Sequence, residues 1–379
     1  MHVLILPSWY FSSDSHSIAG KNFQQLAVGL READLDARIF HVDYSMDKPF
    51  IKQKTFNKEE GVPTWRTHQW FPPKIHSLLV KQWIKKSAKE IFKYVRDHGK
   101  PDLIHAQSFM ASLIAREVKT VMNVPFIYTE HLSGFISNSI GSQYKKFISK
   151  SCENADIITC VSPGLRDKLR AYTSREIVVV PNFFDSLIFH PDESLKKDHI
   201  FTWISIGEPS HIKGLDILIN SLGIIRNKRP DIQMKLIFID EIRDKEKLIQ
   251  LAQSYNVDAL IDWKGLITQK QIAHVLNTSH ALVSSSRIET FGTAIIEAQA
   301  CGLPVVATET DGAHFIIKSP EQGLLVKNAD AEALSEGMIR MMSDYSSYNP
   351  EKIIELVKPV FEKESVVNQW KNIYYKVTR

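Results

Sequence analysis

At 379 residues, with 44% hydrophobic and 24% charged residues, the chain has the make-up of an ordinary globular protein and the length of two domains. Its formal charge of +4 is too small to point to nucleic acid, and no apolar run approaches the roughly 18 residues of a membrane-spanning helix. Cys152, Cys160 and Cys301 have neither disulfide nor metal spacing, so they read as reduced thiols of a cytoplasmic protein.

The opening MHVLILPSWY is too short and too weakly charged for a signal peptide, and Val3–Leu6 reads as a first strand. A helix from about Asn22 to Glu32 and a strand at Ala37–Val42 follow, then a polar, weakly patterned loop over 45–60 and a strand at Val62–His68. A basic amphipathic helix runs from about Ser77 to Arg96, and strands fall at Asp102–His105 and Pro125–Thr129 with a helix between them. Strand Ile157–Val161, a helix capped by Ser162 with Pro163 at its first position, and strand Ile177–Val180 complete the first series. Residues 181–191 read as a linker. The alternation restarts at Phe201–Ile206, with further strands at Lys235–Ile239, Leu260–Trp263, Ala281–Ser284, Val305–Thr308 and Leu324–Val326. Buried strands alternating with helices imply α/β domains with parallel sheets covered on both faces. Two series predict two Rossmann-like domains, 1–185 and 186–359, with a cleft between them.

The richest stretch is 283–308, VSSSRIETFGTAIIEAQACGLPVVAT. It reads as strand end, polar loop, helix, tight turn and second strand. A helix starting at Gly292–Thr293 leaves backbone N–H groups unpaired, and with the helix dipole these favour a phosphate. Glu289 stands in the loop and Glu297 on the second helical turn, with seven residues between them. A carboxylate can accept from two adjacent hydroxyls. Phosphate at a helix tip with hydroxyl pairs beside it describes a sugar nucleotide. Two solvated acids at a helix start would be the bland alternative.

Position by position, this stretch resembles the signature of glycosyltransferase family 4, retaining enzymes of GT-B fold: E-x-F-G, the second Glu of E-x7-E, then E-A-x-A-x-G-x-P-V. The resemblance implies a GT-B architecture, two Rossmann-like domains with parallel sheets facing across a cleft. The first would be the acceptor domain, completed by the C-terminal helix of about 360–379, and the second the nucleotide-sugar domain. It implies that Glu297 holds ribose hydroxyls and that Glu289 and the backbone of Phe291, Gly292 and Thr293 hold the sugar and diphosphate. Gly20, which opens the first helix after P-S-W-Y, would face the donor phosphates. His131, in YTEH, would contact the transferred sugar, with Glu130 beside it as a second polar contact. Lys213, in IGEPSHIKG, would neutralise the diphosphate next to Gly207, and the base would lie near Gly265. Catalysis would rest on His131, Glu289 and Lys213, without metal or cofactor. Asp34-Leu35-Asp36 has a D-x-D spacing but falls at the amino end of a strand, where a solvated turn is expected. Retention is usually explained in this fold by front-face attack, the leaving phosphate helping to remove the acceptor proton.

The chain departs from the family twice. G-R-L-x-x-x-K-G becomes Gly207, Glu208, Pro209 and then Lys213-Gly214, so an acid replaces the arginine. Arg287 or His211 is then the candidate for the missing charge. A G-x-G is replaced by Asp240, Glu241 and Ile242. The expected activity is transfer of a hexose-type sugar from a nucleoside-diphosphate-sugar, UDP-linked before GDP-linked, to a glycan or lipid-linked acceptor in cell-surface polysaccharide or glycoconjugate synthesis. The alternatives are a sugar-nucleotide epimerase and a non-catalytic sugar-nucleotide-binding subunit. Helix 78–96 carries Lys81, Lys85, Lys86, Lys89, Lys93 and Arg96 opposite an apolar face. It packs on the sheet or meets anionic lipid, which would put the protein in the cytoplasm or on the inner face of the membrane.

Overall fold

The computed structural model describes residues 1–10, 20–45, 54–70, 77–208, 210–239 and 245–379. It divides into two compact units, 1–180 with 367–379, and 181–366.

The first unit is a sheet of eight strands. In chain order its elements are β1 (His2–Pro7), α1 (Lys21–Glu32), β2 (Asp36–Ser45), β3 (Lys54–Glu59), β4 (Val62–Trp70), α2 (Ser77–His98), β5 (Leu103–Gln107), α3 (Phe109–Met122), β6 (Phe126–Glu130), α4 (Lys145–Asn154), β7 (Ile157–Cys160), α5 (Pro163–Leu169) and β8 (Ile177–Val179). The strand order is β3-β4-β2-β1-β5-β6-β7-β8. Neighbours are parallel except β3, which is antiparallel to β4. That edge strand corrects the expected loop over 45–60, in so far as its residues are described. Glu59 pairs with Val62, and Glu60 and Gly61 both have positive φ, 50° and 79°, the geometry of a two-residue type I′ turn. Glu-Gly is a weaker turn signal than Asn-Gly, and KTFNKE has no apolar alternation to announce a strand.

The centre of the sheet is apolar on both faces. Val3, Leu4, Ile5, Leu103, Ile104 and Ala106 are all fully buried. Each larger side chain buried this way contributes about 1.5–3 kcal/mol. Helix α2 spends its apolar face here too: Val80, Trp83, Ile84, Ala88 and Ile91 are buried, while Lys81, Lys85, Lys86 and Lys89 are exposed.

The second unit holds β9 (Phe201–Ile206), α6 (Leu215–Lys228), β10 (Met234–Ile239), α7 (Lys245–Ser254), β11 (Ile261–Trp263), α8 (Gln269–Thr278), β12 (Ala281–Ser284), α9 (Thr293–Ala300), β13 (Val305–Thr308), α10 (Asp311–Ile316), β14 (Gly323–Val326), α11 (Ala331–Ser343) and α12 (Pro350–Phe361). Its six strands are parallel, in the order β11-β10-β9-β12-β13-β14. Trp203, Leu218, Leu222, Leu236, Val306 and Met338 lie at its core. The last helix, α13 (Lys363–Thr378), contributes residues 367–379 to the first unit. There Trp370 packs its ring 4.5 Å from that of His105, and Tyr374 hydrogen-bonds His105 Nδ1 at 2.7 Å.

Strand order reverses direction at β1/β5 in one unit and at β9/β12 in the other. In open α/β sheets such switch points mark where ligands bind, beyond the carboxyl ends of the strands.

Candidate active site

In the second unit the loop after β9 and the loop after β12 are knitted together. Arg287 N donates to Ile212 O at 2.7 Å, and Ser285 Oγ donates to Lys213 O at 3.0 Å. Gly214 is left-handed, φ 64°, and a Cβ there would meet Ser285 O at 2.2 Å, so only glycine lets the two loops close. Lys213 thereby reaches Glu289: Nζ donates to Oε2 at 2.5 Å. The lysine stem lies over Gly207, 3.5 Å from where a Cβ would stand.

The Glu289 loop is anchored from behind. Gly312 N donates to Glu289 O at 2.9 Å, and Phe291 is buried against the rings of Phe315 and Phe361 at 6.2 and 5.7 Å. Phe291 can therefore offer a ligand its backbone, while its side chain holds the loop down. Gly292 is left-handed at the N-cap of α9, φ 102°, with no side-chain cap. Among the described residues no side chain caps the backbone donors of that first turn. One turn on, Glu297 is 9% exposed. Among the described residues its carboxylate has no hydrogen-bond or ion-pair partner, and burial pushes its pKa up to about 8.

In the first unit the adjacent ends of β5 and β6 are clamped by Glu130. Its buried carboxylate accepts from Ser108 Oγ (2.7 Å), Phe109 N (3.2 Å), Tyr128 OH (2.6 Å), His131 N (2.8 Å) and Leu132 N (3.0 Å). Burial raises its pKa and these donors pull it back down. Glu130 is thus a strut with its lone pairs taken, which corrects its expected role as a sugar contact. His131 follows, half-buried, with Nε2 2.7 Å from Gln107 Oε1 and its ring edge-on to Trp9 and Phe23. Burial lowers its pKa to about 3, so it is neutral at physiological pH.

Lys213, Glu289, Gly207 and the α9 tip are gathered by direct contacts. Gly265 stands apart at the end of edge strand β11, φ 72°, facing open space. At Gly20, φ 82°, the place of a Cβ is taken by Trp9 O at 2.9 Å, so this glycine is required by its own chain. Arg287 is already engaged: its guanidinium is paired two-to-two with Asp216, 2.7 Å on each side. His211 is exposed and its carbonyl accepts from the same arginine at 3.0 Å. Glu208 is exposed, and Pro209 and Asp240–Ile242 lie outside the described residues. In the D-x-D segment Asp36 grips Arg38, Oδ2 to Nη2 at 2.6 Å, and no cluster able to hold a metal is found among the described residues.

The residues not singled out by the sequence are Gln107, Ser108 and Asp216. The signal that could have found Asp216 is an acid in the first turn of α6, two residues past Gly214. Ser108 adopts φ 72°, ψ 162°, a region nearly reserved for glycine, and nothing in its residue type announces that.

Residues 20–186 match the family model Glycosyltransferase Family 4, and residues 189–357 match Glycosyl transferases group 1. The protein is a glycosyltransferase of GT-B type. The glycosyltransferase is 26% identical over 304 residues to one of the subunits of phosphatidylinositol N-acetylglucosaminyltransferase of Homo sapiens, spanning 76% of this chain but 60% of that one. Among solved structures, sucrose-phosphate synthase from Thermosynechococcus elongatus superposes with a TM-score of 0.82 at 20% identity, covering 99% of each chain. Anabaena HepE, solved in complex with UDP and glucose, gives a TM-score of 0.74 at 16% identity, covering 99% of this chain and 100% of the other.

Proposed function

We propose that the glycosyltransferase moves a hexose-type sugar from a nucleoside-diphosphate-sugar to a glycan or lipid-linked acceptor, with retention and without metal. The observation that carries this reading is Glu297. It is a buried carboxylate with no protein partner among the described residues, one helical turn from an uncapped helix start. A ribose diol would supply the two donors it lacks. The diphosphate would take the backbone N–H groups of Gly292 and Thr293, with Lys213 as counter-charge, and Glu289 would accept from sugar hydroxyls. His131 would contact the sugar as a neutral imidazole. In the transfer, the bond from the anomeric carbon to the diphosphate oxygen breaks, the bond to the acceptor oxygen forms, and the acceptor proton passes to the leaving phosphate. Lys213 and the helix start stabilise the charge that develops there.

A UDP-sugar is the first donor to try and a GDP-sugar the second. UDP in the HepE complex supports the former. The phosphatidylinositol in the name of the human relative supports a lipid-linked acceptor, and so does the exposed lysine face of α2. With its apolar face buried in the protein, α2 would meet a cytoplasmic anionic membrane surface by charge alone.

Glu208 in place of arginine, with Arg287 committed to Asp216, favours one second reading: a donor-binding subunit that needs a partner to turn over. A donor panel separates the two. UDP-, GDP- and ADP-sugars are incubated with the protein and a chelator, and nucleoside diphosphate release and binding heat are followed. Release from one donor, lost in Glu297→Ala, is the expected result. Binding without release, with lipid extract present as acceptor, means the subunit reading. Absence of binding to every donor overturns both.

A further inference from the structure

We infer that Gln107 is a positioning residue for His131: it holds the imidazole with the proton on Nε2 and so presents Nδ1 as a bare acceptor to a hydroxyl of the bound sugar. This deepens the proposed transfer reaction and rests on it for the identity of the ligand, but the tautomer itself is a property of the free protein.

Three observations converge. First, His131 Nε2 lies 2.7 Å from Gln107 Oε1, an acceptor-only oxygen. The contact therefore requires the proton on Nε2, and in a neutral ring Nδ1 then carries the lone pair. Among the described residues Nδ1 has no partner, so it is the ring nitrogen left for a ligand.

Second, Gln107 is 1% exposed, and its Nε2 is buried with no acceptor among the described residues. A fold that needed only to fill this space would place an apolar residue here, because an orphaned buried amide costs about 1–3 kcal/mol. The amide is retained at a cost that the His131 contact explains. Turned over, it would donate from Nε2 to His131 Nε2, move the ring proton to Nδ1 and leave the oxygen orphaned instead. The two arrangements make opposite, measurable statements about the ring.

Third, the backbone carrying both residues is braced. Ser108, next to Gln107, is held in its strained conformation by Ser108 N to Thr129 O at 2.6 Å and by its Oγ on Glu130. Glu130 also takes the N–H groups of His131 and Leu132. The strain persists because neighbours over-determine it, and what it fixes is the spacing between Gln107 on β5 and His131 at the end of β6. Trp9 and Phe23, edge-on to the imidazole, restrict rotation of the ring.

The test is imidazole nitrogen NMR on the full chain, with the His131 signals assigned by their loss in His131→Gln. The free protein at neutral pH is expected to show a protonated Nε2 and an unprotonated Nδ1. A protonated Nδ1 overturns the proposal outright. In Gln107→Met the tautomer preference is lost and the two forms mix, whereas Gln107→Glu, which keeps an acceptor oxygen at the same distance, retains the Nε2 proton. If Gln107→Met does not fold, Gln107→Glu and the wild type still decide the tautomer. In turnover, Gln107→Met is expected to lower kcat on the order of tenfold, the worth of one hydrogen bond, with donor KM unchanged. An unchanged tautomer in Gln107→Met overturns the positioning role even if kcat falls. A wild type that binds no sugar nucleotide, yet shows the Nε2 tautomer and loses it in Gln107→Met, refutes the transfer reading alone.

Discussion

Two buried carboxylates, one in each unit, sit beside a helix start at the carboxyl end of a parallel sheet, and they are treated in opposite ways. Glu130 takes donors from Ser108, Phe109, Tyr128, His131 and Leu132. Glu297 takes none among the described residues. Burying an unpaired carboxylate is costly, and without a ligand Glu297 meets that cost by holding its proton, its pKa pushed up to about 8. Glu130 has been absorbed into the architecture, where it ties two strand ends and the start of α3 together. Glu297 has been left open for a ligand. The same residue type at the same kind of place thus serves structure in one unit and recognition in the other, and only the count of donors tells them apart.

The sharpest way to break this comparison is to remove each acid in turn. Glu130→Ala orphans several buried donors at once, and stability is expected to fall on the order of 3 kcal/mol or more, read as a lower urea midpoint at unchanged slope. Glu297→Gln should behave in the opposite sense. Its stability is retained or raised, while affinity for the nucleoside diphosphate drops on the order of 10²–10³-fold by calorimetry, the worth of two charge-assisted hydrogen bonds. Equal losses of stability at both positions would mean that Glu297 is structural too.

The pH dependence of Glu297 gives an independent handle. Its pKa in the folded chain is pushed up to about 8, above the ordinary carboxyl value. Between those two values the folded state holds a proton that the unfolded state has lost, so stability should decline as pH rises through this window. The slope from this one group is at most about 1.4 kcal/mol per pH unit. Glu297→Gln should flatten that decline. A ligand that donates hydroxyls to the carboxylate favours the ionised form, so donor binding near pH 7 should release up to about one proton, measured by calorimetry in buffers of different ionisation heat. Uptake of a proton instead would mean that the diol does not meet Glu297.

Lys213 comes next. Its ion pair with Glu289 has side chains 33% and 16% exposed, so Lys213→Ala should change stability by less than about 1 kcal/mol. Its charge matters most where a leaving diphosphate develops, and kcat for donor consumption should fall about a hundredfold. A large stability loss with intact turnover would move Lys213 to the structural side, beside Glu130.

Much of this was legible in the residues. The strands at Phe201–Ile206, Ala281–Ser284 and Val305–Thr308 are apolar runs between strong turn signals, and no other element competes for them. Gly292–Thr293 and Glu297 were legible because helix-start chemistry is local. The edge strand β3 was not, because its pairing with β4 is decided by a Glu-Gly turn and one partner strand rather than by its own pattern. Nor was the fate of Arg287. The acid nearest to it in sequence, Glu289, pairs with Lys213 instead, and Asp216, 71 residues away, is brought to it only by the closure at Gly214. The clamp at Glu130 and the strained Ser108 were hidden for the same reason, since both depend on contacts between adjacent strands.

The smallest effect concerns Glu208, the acid in the loop after β9. Glu208 is exposed at the end of β9, in the loop that carries Lys213. An acid there opposes a diphosphate, but water screens it, so the penalty is modest. Glu208→Arg should tighten nucleoside diphosphate binding on the order of tenfold at low salt, and the gain should shrink as salt is raised. Glu208→Gln should recover part of it. Loosening the Asp216 clamp with Asp216→Asn instead frees Arg287 but also unties the loop that carries Lys213, so its net gain should be smaller than that of Glu208→Arg. If Glu208→Arg leaves affinity unchanged, the diphosphate is held by Lys213 and the α9 start alone. The contrast between a fully satisfied acid in one unit and an open one in the other would then account for donor recognition without any arginine.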